Sequence, residues 1–190
     1  MSTQKIVLGI IGMPASGKGT VAAYLEKKHG AAKLRFSDAL SIILDRLKVE
    51  KTRDHQIILS EVLRETCGED VLSRAIQIGI GKSEANLIVV DGVRREGDIE
   101  TLKAVSNFHL IGVDADPKAR YERSKLREEK TNESELTFEE FQKLDERSTE
   151  ITTRALMQKA EIVINNNETI DDLNKKVDDY MGAMGIEIGR

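Results

Sequence analysis

The stretch KIVLGIIGMPASGKGT, Lys5 to Thr20, decides the fold. Its first half, Lys5–Ile11, is a short β-branched apolar run, the form taken by a strand covered on both faces. Its second half, Gly12 to Thr20, reads glycine, four residues, glycine, lysine, and a helical pattern follows from Lys18 to His29. Each piece answers a physical demand. Gly12 and Gly17 let the backbone turn around phosphate oxygens. Successive N–H groups from Ala15, Ser16, Gly17, Lys18, Gly19 and Thr20 point inward, and the helix adds the positive end of its dipole. Lys18 brings a mobile charge to a transferring phosphate. A glycine-rich turn before a helix is sometimes only a tight connection. An apolar strand directly ahead of it makes that bland reading the weaker one.

Outward from this stretch, apolar runs at Lys33–Phe36, Leu87–Asp91, Leu110–Asp114 and Glu161–Asn165 predict four further strands. Helical spacing predicts helices over Ala39–Leu47, Ile57–Thr66, Asp70–Gly81, Glu96–Val105 and Asp171–Met181. Strands alternating with helices require crossover connections. The expected fold is therefore α/β: a P-loop NTPase with a five-stranded, mainly parallel sheet, helices on both sides and a helical lid insertion. Residues 1–190 read as a single domain, with a core of about 5–37, 83–115 and 156–182. A helical region of about 38–82 would hold an acceptor. A charged excursion of about 116–155, poor in large apolar residues, reads as a lid or as a solvated helical surface. Ligands on such sheets bind at the carboxyl ends of the strands, which predicts Gly12, Ser37, Asp38, Asp91, Arg94 and Asp116 as neighbours. The glycine-rich tail from Gly182 to Arg190 is expected to fray.

Composition removes several classes. The 39% hydrophobic and 33% charged shares suit an ordinary enzyme, and the net charge of -4 argues against bulk attraction to nucleic acid. Any phosphate binding must then fall to local arginines. Cys67 is the single cysteine, so no internal disulfide forms, and His29, His55 and His109 lack metal-ligand spacing. The apolar stretch Ile6–Ala15 is about half the length of a membrane span and shows no secretory leader pattern. Cytoplasmic location, no membrane or nucleic-acid partner, and a monomer or weak homo-oligomer are the expectations.

Around the cradle stand the candidate side chains. Asp91 ends the strand LIVVD and is the candidate for magnesium, acting through water. The usual hydroxyl after the lysine is Gly19 here, displaced to Thr20, so the ion must lean on phosphates, waters and a carboxylate. A turn or cap aspartate is the alternative. Arg94 and Arg95 follow at once, and Arg94 and Arg64 are candidates to fork onto an acceptor phosphate. Asp38, in RFSDAL, either caps the next helix with Ser37 or orients and deprotonates an accepting hydroxyl. Arg120, Arg123 and Arg127 share a helical face suited to closing on phosphates, with Arg147 on the lid's second arm. Glu122, Glu128 and Glu129 allow the alternative of surface ion pairs.

Taken together, GMPASGKGT, VVDGVRR (Val89 to Arg95), DADPKARYER (Asp114 to Arg123) and AEIVINNNETIDDL (Ala160 to Leu173) make the chain resemble the P-loop nucleoside monophosphate kinase superfamily. Within it the resemblance is closest to dephospho-coenzyme A kinase and the archaeal adenylate-kinase-related proteins. It implies ATP and Mg2+ as cofactors, Arg120 and Arg123 near ATP phosphates, and Asp38 near a small nucleotide acceptor. The closing strand and helix favour the 3'-hydroxyl of dephospho-coenzyme A. The GKGT ending, similar to that of adenylate kinase, keeps a nucleoside monophosphate as the alternative. RFSDAL matches neither family's second-strand motif, and no cysteine quartet supports a zinc-bearing lid. A regulatory P-loop ATPase would share the cradle, yet no Asn-Lys-x-Asp base-reading motif is present. An arginine-rich, water-excluding lid suits transfer rather than hydrolysis.

Overall fold

Strict alternation along the first strand sets the layers. In a computed structural model, which describes residues 5–104, 107–126, 136–146 and 148–185, β1 (Ile6–Ile11) sends Val7 and Ile11 to one side of the sheet. Leu8 and Ile10 go to the other. All four are at most 1% exposed. A strand buried on both faces needs helices above and below, and the chain supplies them.

The order of elements is β1, α1 (Lys18–His29), β2 (Ala32–Arg35), α2 (Phe36–Arg46), α3 (Arg53–Cys67), α4 (Val71–Lys82) and β3 (Leu87–Asp91). Then come α5 (Glu96–Lys103), β4 (Asn107–Asp114), α6 (Pro117–Lys125), α7 (Phe138–Leu144), α8 (Ser148–Met157), β5 (Ile162–Asn165) and α9 (Ile170–Ala183). The strands lie in the order β2-β3-β1-β4-β5, and every pairing is parallel, not merely most of them. Strand order reverses at β1, which places the cradle following it at the switch point where α/β sheets bind ligands. One face packs Val21, Ala22 and Leu25 of α1 with Leu173, Val177 and Met181 of α9. The other packs Leu40 of α2, Leu72 and Ile76 of α4, Ile99 and Leu102 of α5, and Leu156 and Met157 of α8.

Several boundaries differ from the sequence expectation, each for a local reason. Phe36, expected to end β2, opens α2 instead: Arg35 is the extended N-cap, and Phe36 turns into the core at 6% exposure. Ser37 and Asp38 therefore lie inside the first turn, and neither caps it. Helix α3 starts four residues early because the Thr52 hydroxyl accepts the His55 N–H at 3.1 Å. Strand β4 starts at Asn107 because Phe108 fills the core.

The charged excursion buries more than its composition suggests. Phe141 is 1% exposed, packs against the Tyr121 ring at 5.7 Å and lies beneath the Arg120 guanidinium at 5.6 Å. Three aromatics, Tyr121, Phe138 and Phe141, make that seam, and averaging over many charged neighbours hides them. Arg127, Glu128, Glu129, Arg147 and the tail beyond Gly185 lie outside the described residues. Among the described residues no helix is long and apolar enough to cross a membrane.

Candidate active site

The cradle follows β1 directly. Ala15 and Gly17 take left-handed φ values of 58° and 109°, which turn the loop sharply ahead of α1. At Gly12 a Cβ would stand 2.1 Å from the Val113 carbonyl oxygen, and at Gly17 another would stand 2.2 Å from Asn166 Nδ2. Side chains are therefore excluded at both positions, by backbone on one side and by a buried amide on the other. Lys18 Nζ donates to the carbonyls of Gly12, at 2.8 Å, and Met13, at 2.9 Å. The Ser16 hydroxyl is wholly buried and has no partner among the described residues. A lysine resting on the loop's own carbonyls, an orphan hydroxyl and a helix N-terminus fit a phosphate chain. Gly19 and Thr20 are exposed, and a Cβ at Gly19 would meet nothing within 4 Å.

On the β4–β5 side the cradle is braced. Asn166 donates from Nδ2 to the Ser16 carbonyl at 2.8 Å and from its backbone N–H to the Asp114 carbonyl at 2.7 Å. Its own carbonyl accepts Arg123 Nη2 at 2.8 Å. Asn167 Oδ1 accepts the Asp116 N–H at 2.7 Å, which ties the start of α6 to the same loop. Arg120 and Arg123, paired in the sequence reading, part company here. Arg120 is 2% exposed, forms a two-pronged ion pair with Asp145, and reaches the Pro14 carbonyl of the cradle at 3.4 Å. Its charge is spent on holding α6 and the α7–α8 turn to the cradle. Arg123 keeps a buried Nη1 with no partner among the described residues.

On the β2–β3 side a cleft of about 400 Å³ opens at the strand ends. Asp91 stands there, in register with Ile10 of β1 and Arg35 of β2, so the cleft begins one strand from the cradle. Helix α3 gives it a whole stripe: Arg53, Gln56, Ile57, Ser60, Glu61 and Arg64. Steps of three and one place these six on one face of a helix. Arg35, Arg94 and Arg95 also line it, so five arginines and two carboxylates, Asp91 and Glu61, are among its lining residues. Phe36, Leu40 and Leu72 supply the apolar wall, and Ser37 and Thr152 add hydroxyls. Asp38 is exposed and does not line the cleft.

Sequence reading named Arg64, Asp91 and Arg94, which meet in this cleft, and missed Arg35, Arg53, Glu61 and the buried Asp98 beneath it. The period of α3 carried a signal for Arg53, because it shares a stripe with Arg64. Asn166 had one too: three asparagines straight after an apolar strand, at a carboxyl edge. Among the described residues no cluster of three His, Cys, Asp or Glu side chains is placed to hold a metal. A magnesium ion would fit here only with phosphates and waters as most of its ligands and Asp91 as the carboxylate.

A parallel sheet with its cradle at the switch point and flanking helices on both faces defines a P-loop domain with a kinase-type fold. The AAA domain family profile matches residues 8–152, and the chain belongs to that family. It belongs to the UPF0200 proteins as well: the chain is 32% identical to the UPF0200 protein of Sulfurisphaera tokodaii over 181 residues, 95% of this chain and 98% of its relative. Solved structures share the fold. Shikimate kinase from Bacteroides thetaiotaomicron superposes with a TM-score of 0.63 at 11% identity, over 95% of this chain and 98% of that one. TT1252 from Thermus thermophilus gives 0.62 at 20% identity over the same shares.

Proposed function

We propose that this protein is an ATP- and magnesium-dependent phosphotransferase that moves the γ-phosphoryl group onto a small anionic acceptor of the nucleotide type. The observation that carries this reading is the five-arginine cleft opening beside the cradle. A hydrolase needs only water there, whereas guanidinium forks suit a phosphate-bearing partner.

In the step itself, an acceptor oxygen forms a bond to the γ-phosphorus as the bond from that phosphorus to the β–γ bridging oxygen breaks, and ADP leaves. Lys18 stabilises charge growing on the transferred oxygens, the cradle N–H groups hold the β-phosphate, and Arg123 offers its spare donor from the lid side. Magnesium, when bound, neutralises phosphate charge, with Asp91 as the residue that would hold its waters.

A nucleoside monophosphate is the acceptor this cleft favours. Its phosphate is already ionised, so no proton must move, and positioning by arginines suffices. Asp38, the expected proton sink for a hydroxyl acceptor, stands outside the cleft. The second reading, transfer to a hydroxyl such as the 3'-hydroxyl of dephospho-coenzyme A, draws support from Glu61. A carboxylate among cations inside the cleft gives the hydroxyl proton somewhere to go. The cytoplasm is the setting we propose, with the protein as a monomer or weak homo-oligomer.

The test is ADP release with ATP, magnesium and a panel of nucleoside monophosphates plus dephospho-coenzyme A. At least one monophosphate should raise the rate well above that without acceptor, and leaving out magnesium should abolish the rise. Stimulation by dephospho-coenzyme A alone would favour the second reading. A steady rate indifferent to every acceptor would mark a regulatory ATPase instead.

A further inference from the structure

Beneath the cleft, four residues close a ring. Arg64 donates from Nη1 to the Glu69 carbonyl and from Nη2 to Asp98, at 2.9 Å and 3.3 Å to the two carboxylate oxygens. Asp98 accepts the backbone N–H of Arg95 at 3.2 Å, and the Arg95 side chain returns to the Glu69 carboxylate at 2.7 Å. Asp98 takes two further donors, the Ser73 hydroxyl at 2.7 Å and the Arg94 N–H at 3.4 Å. It is 0% exposed and does not itself line the cleft.

A fully buried carboxylate persists only when donors surround it, and here they come from α3, α4 and the loop after β3. The ring therefore fixes two things at once: the backbone that carries Arg94 and Arg95 into the cleft, and the roll of the Arg64 guanidinium. One donor of the ring is left over. Arg64 Nε is buried without a partner among the described residues, on a side chain that lines the cleft. An unpaired buried donor is costly to keep, which is the mark of a site completed by a ligand's oxygen.

We infer that Asp98 is a positioning residue: it touches no ligand, and it holds Arg64 and the Arg94–Arg95 backbone in the pose that grips an oxyanion of the acceptor. This rests on the reading of the cleft as the acceptor site. Partners that orient metal-ligating side chains in the same way change affinity by about 10- to 100-fold when lost, and that scale sets the expectation for Asp98.

The experiment follows the Nε–H signals of arginine-labelled protein by NMR during titration with inorganic phosphate, in wild type, Asp98→Asn and Ser73→Ala. Nucleotide affinity is measured in parallel. The wild-type Arg64 Nε signal should move saturably. Asp98→Asn should weaken phosphate binding reported by that signal at least about tenfold. Ser73→Ala, which keeps both charges, should weaken it about threefold. Nucleotide affinity at the cradle should stay within about twofold in both, whereas general loss of structure would lower both affinities. A wild-type Arg64 signal indifferent to phosphate would overturn the acceptor reading and this inference with it. A response of equal affinity in all three proteins would leave the acceptor reading standing and overturn the role of Asp98. If Asp98→Asn does not fold, Ser73→Ala decides by the same criterion.

Discussion

The phosphate cradle comes from nine consecutive residues, Gly12 to Thr20, whose working groups are mostly backbone N–H. The cleft proposed for the acceptor, one strand away, collects side chains from β2, α2, α3, α4, the end of β3, the loop after it and α8. The difference lies in what each ligand demands. A phosphate chain common to all nucleotides can be held by main chain, which any sequence owns once the turn is permitted. An acceptor must be told from its competitors, and that takes side chains with particular shapes and charges. The cradle thus depends on what is absent, namely Cβ atoms at Gly12 and Gly17. The cleft depends on what is present and on how it is held.

Charge is held differently as well. The cradle's neighbour Arg120 is neutralised by Asp145, which also accepts Arg154 at 3.0 Å. Breaking that buried pair is the largest effect expected. Asp145→Ala leaves Arg120 buried and uncompensated, at a cost of about 3–5 kcal/mol in stability, read from urea unfolding. The exposed pair Lys51–Asp45, with side chains 48% and 66% exposed, serves as control. Its removal should change stability by less than about 1 kcal/mol. If Asp145→Ala matched that control, the brace between α6 and the cradle would not bear on stability.

Next in size is Lys18→Ala. Loss of one oriented electrostatic contact should lower turnover about 100-fold or more, with acceptor affinity preserved because the cleft is untouched. Near-normal turnover would remove the cradle from the chemistry. The cleft should answer in the opposite sense. Arg53 stands at the far end of the α3 stripe, eleven positions from Arg64 and so roughly 16 Å along the helix. Arg53→Gln should raise the acceptor Michaelis constant about tenfold, with turnover and the ATP Michaelis constant little changed. An equal loss for ATP would blur the division between the two regions.

The same contrast explains what was legible. The strand and GMPASGKGT are local, so the sheet, the cradle and the place of Asp91 could all be read from one stretch and its echoes. Arg64 and Arg94 were legible as residue types suited to phosphate, and the fold brings both to the cleft. Asp98 was not: its partners Arg64 and Ser73 lie 34 and 25 residues away, and an aspartate in a first helical turn looks like an ordinary cap. The burial of Arg120 was not legible either. The residue reads as one that closes on phosphates or pairs at a surface, and Asp145, 25 residues away, and Phe141 are what bury it.

The smallest expected effect falls on Asp38. The residue is exposed, in the first turn of α2, and absent from the cleft wall that its neighbour Ser37 joins. A carboxylate there interacts favourably with the helix N-terminus, a contribution of about 0.3–1 kcal/mol that salt reduces. Asp38→Asn should therefore lower stability by no more than that, and leave single-turnover rate and acceptor affinity within about twofold. A phosphate acceptor makes this outcome natural, since its nucleophilic oxygen carries no proton to be removed. A steep fall in the single-turnover rate with ATP affinity intact would mean the opposite. Asp38 would then swing into the cleft when the acceptor binds, act as its base, and put a hydroxyl acceptor ahead of a monophosphate. Glu61→Gln measured beside it sharpens the choice. If neither carboxylate matters to the chemical step, the cleft works through its arginines alone, and the acceptor is one that arrives already ionised.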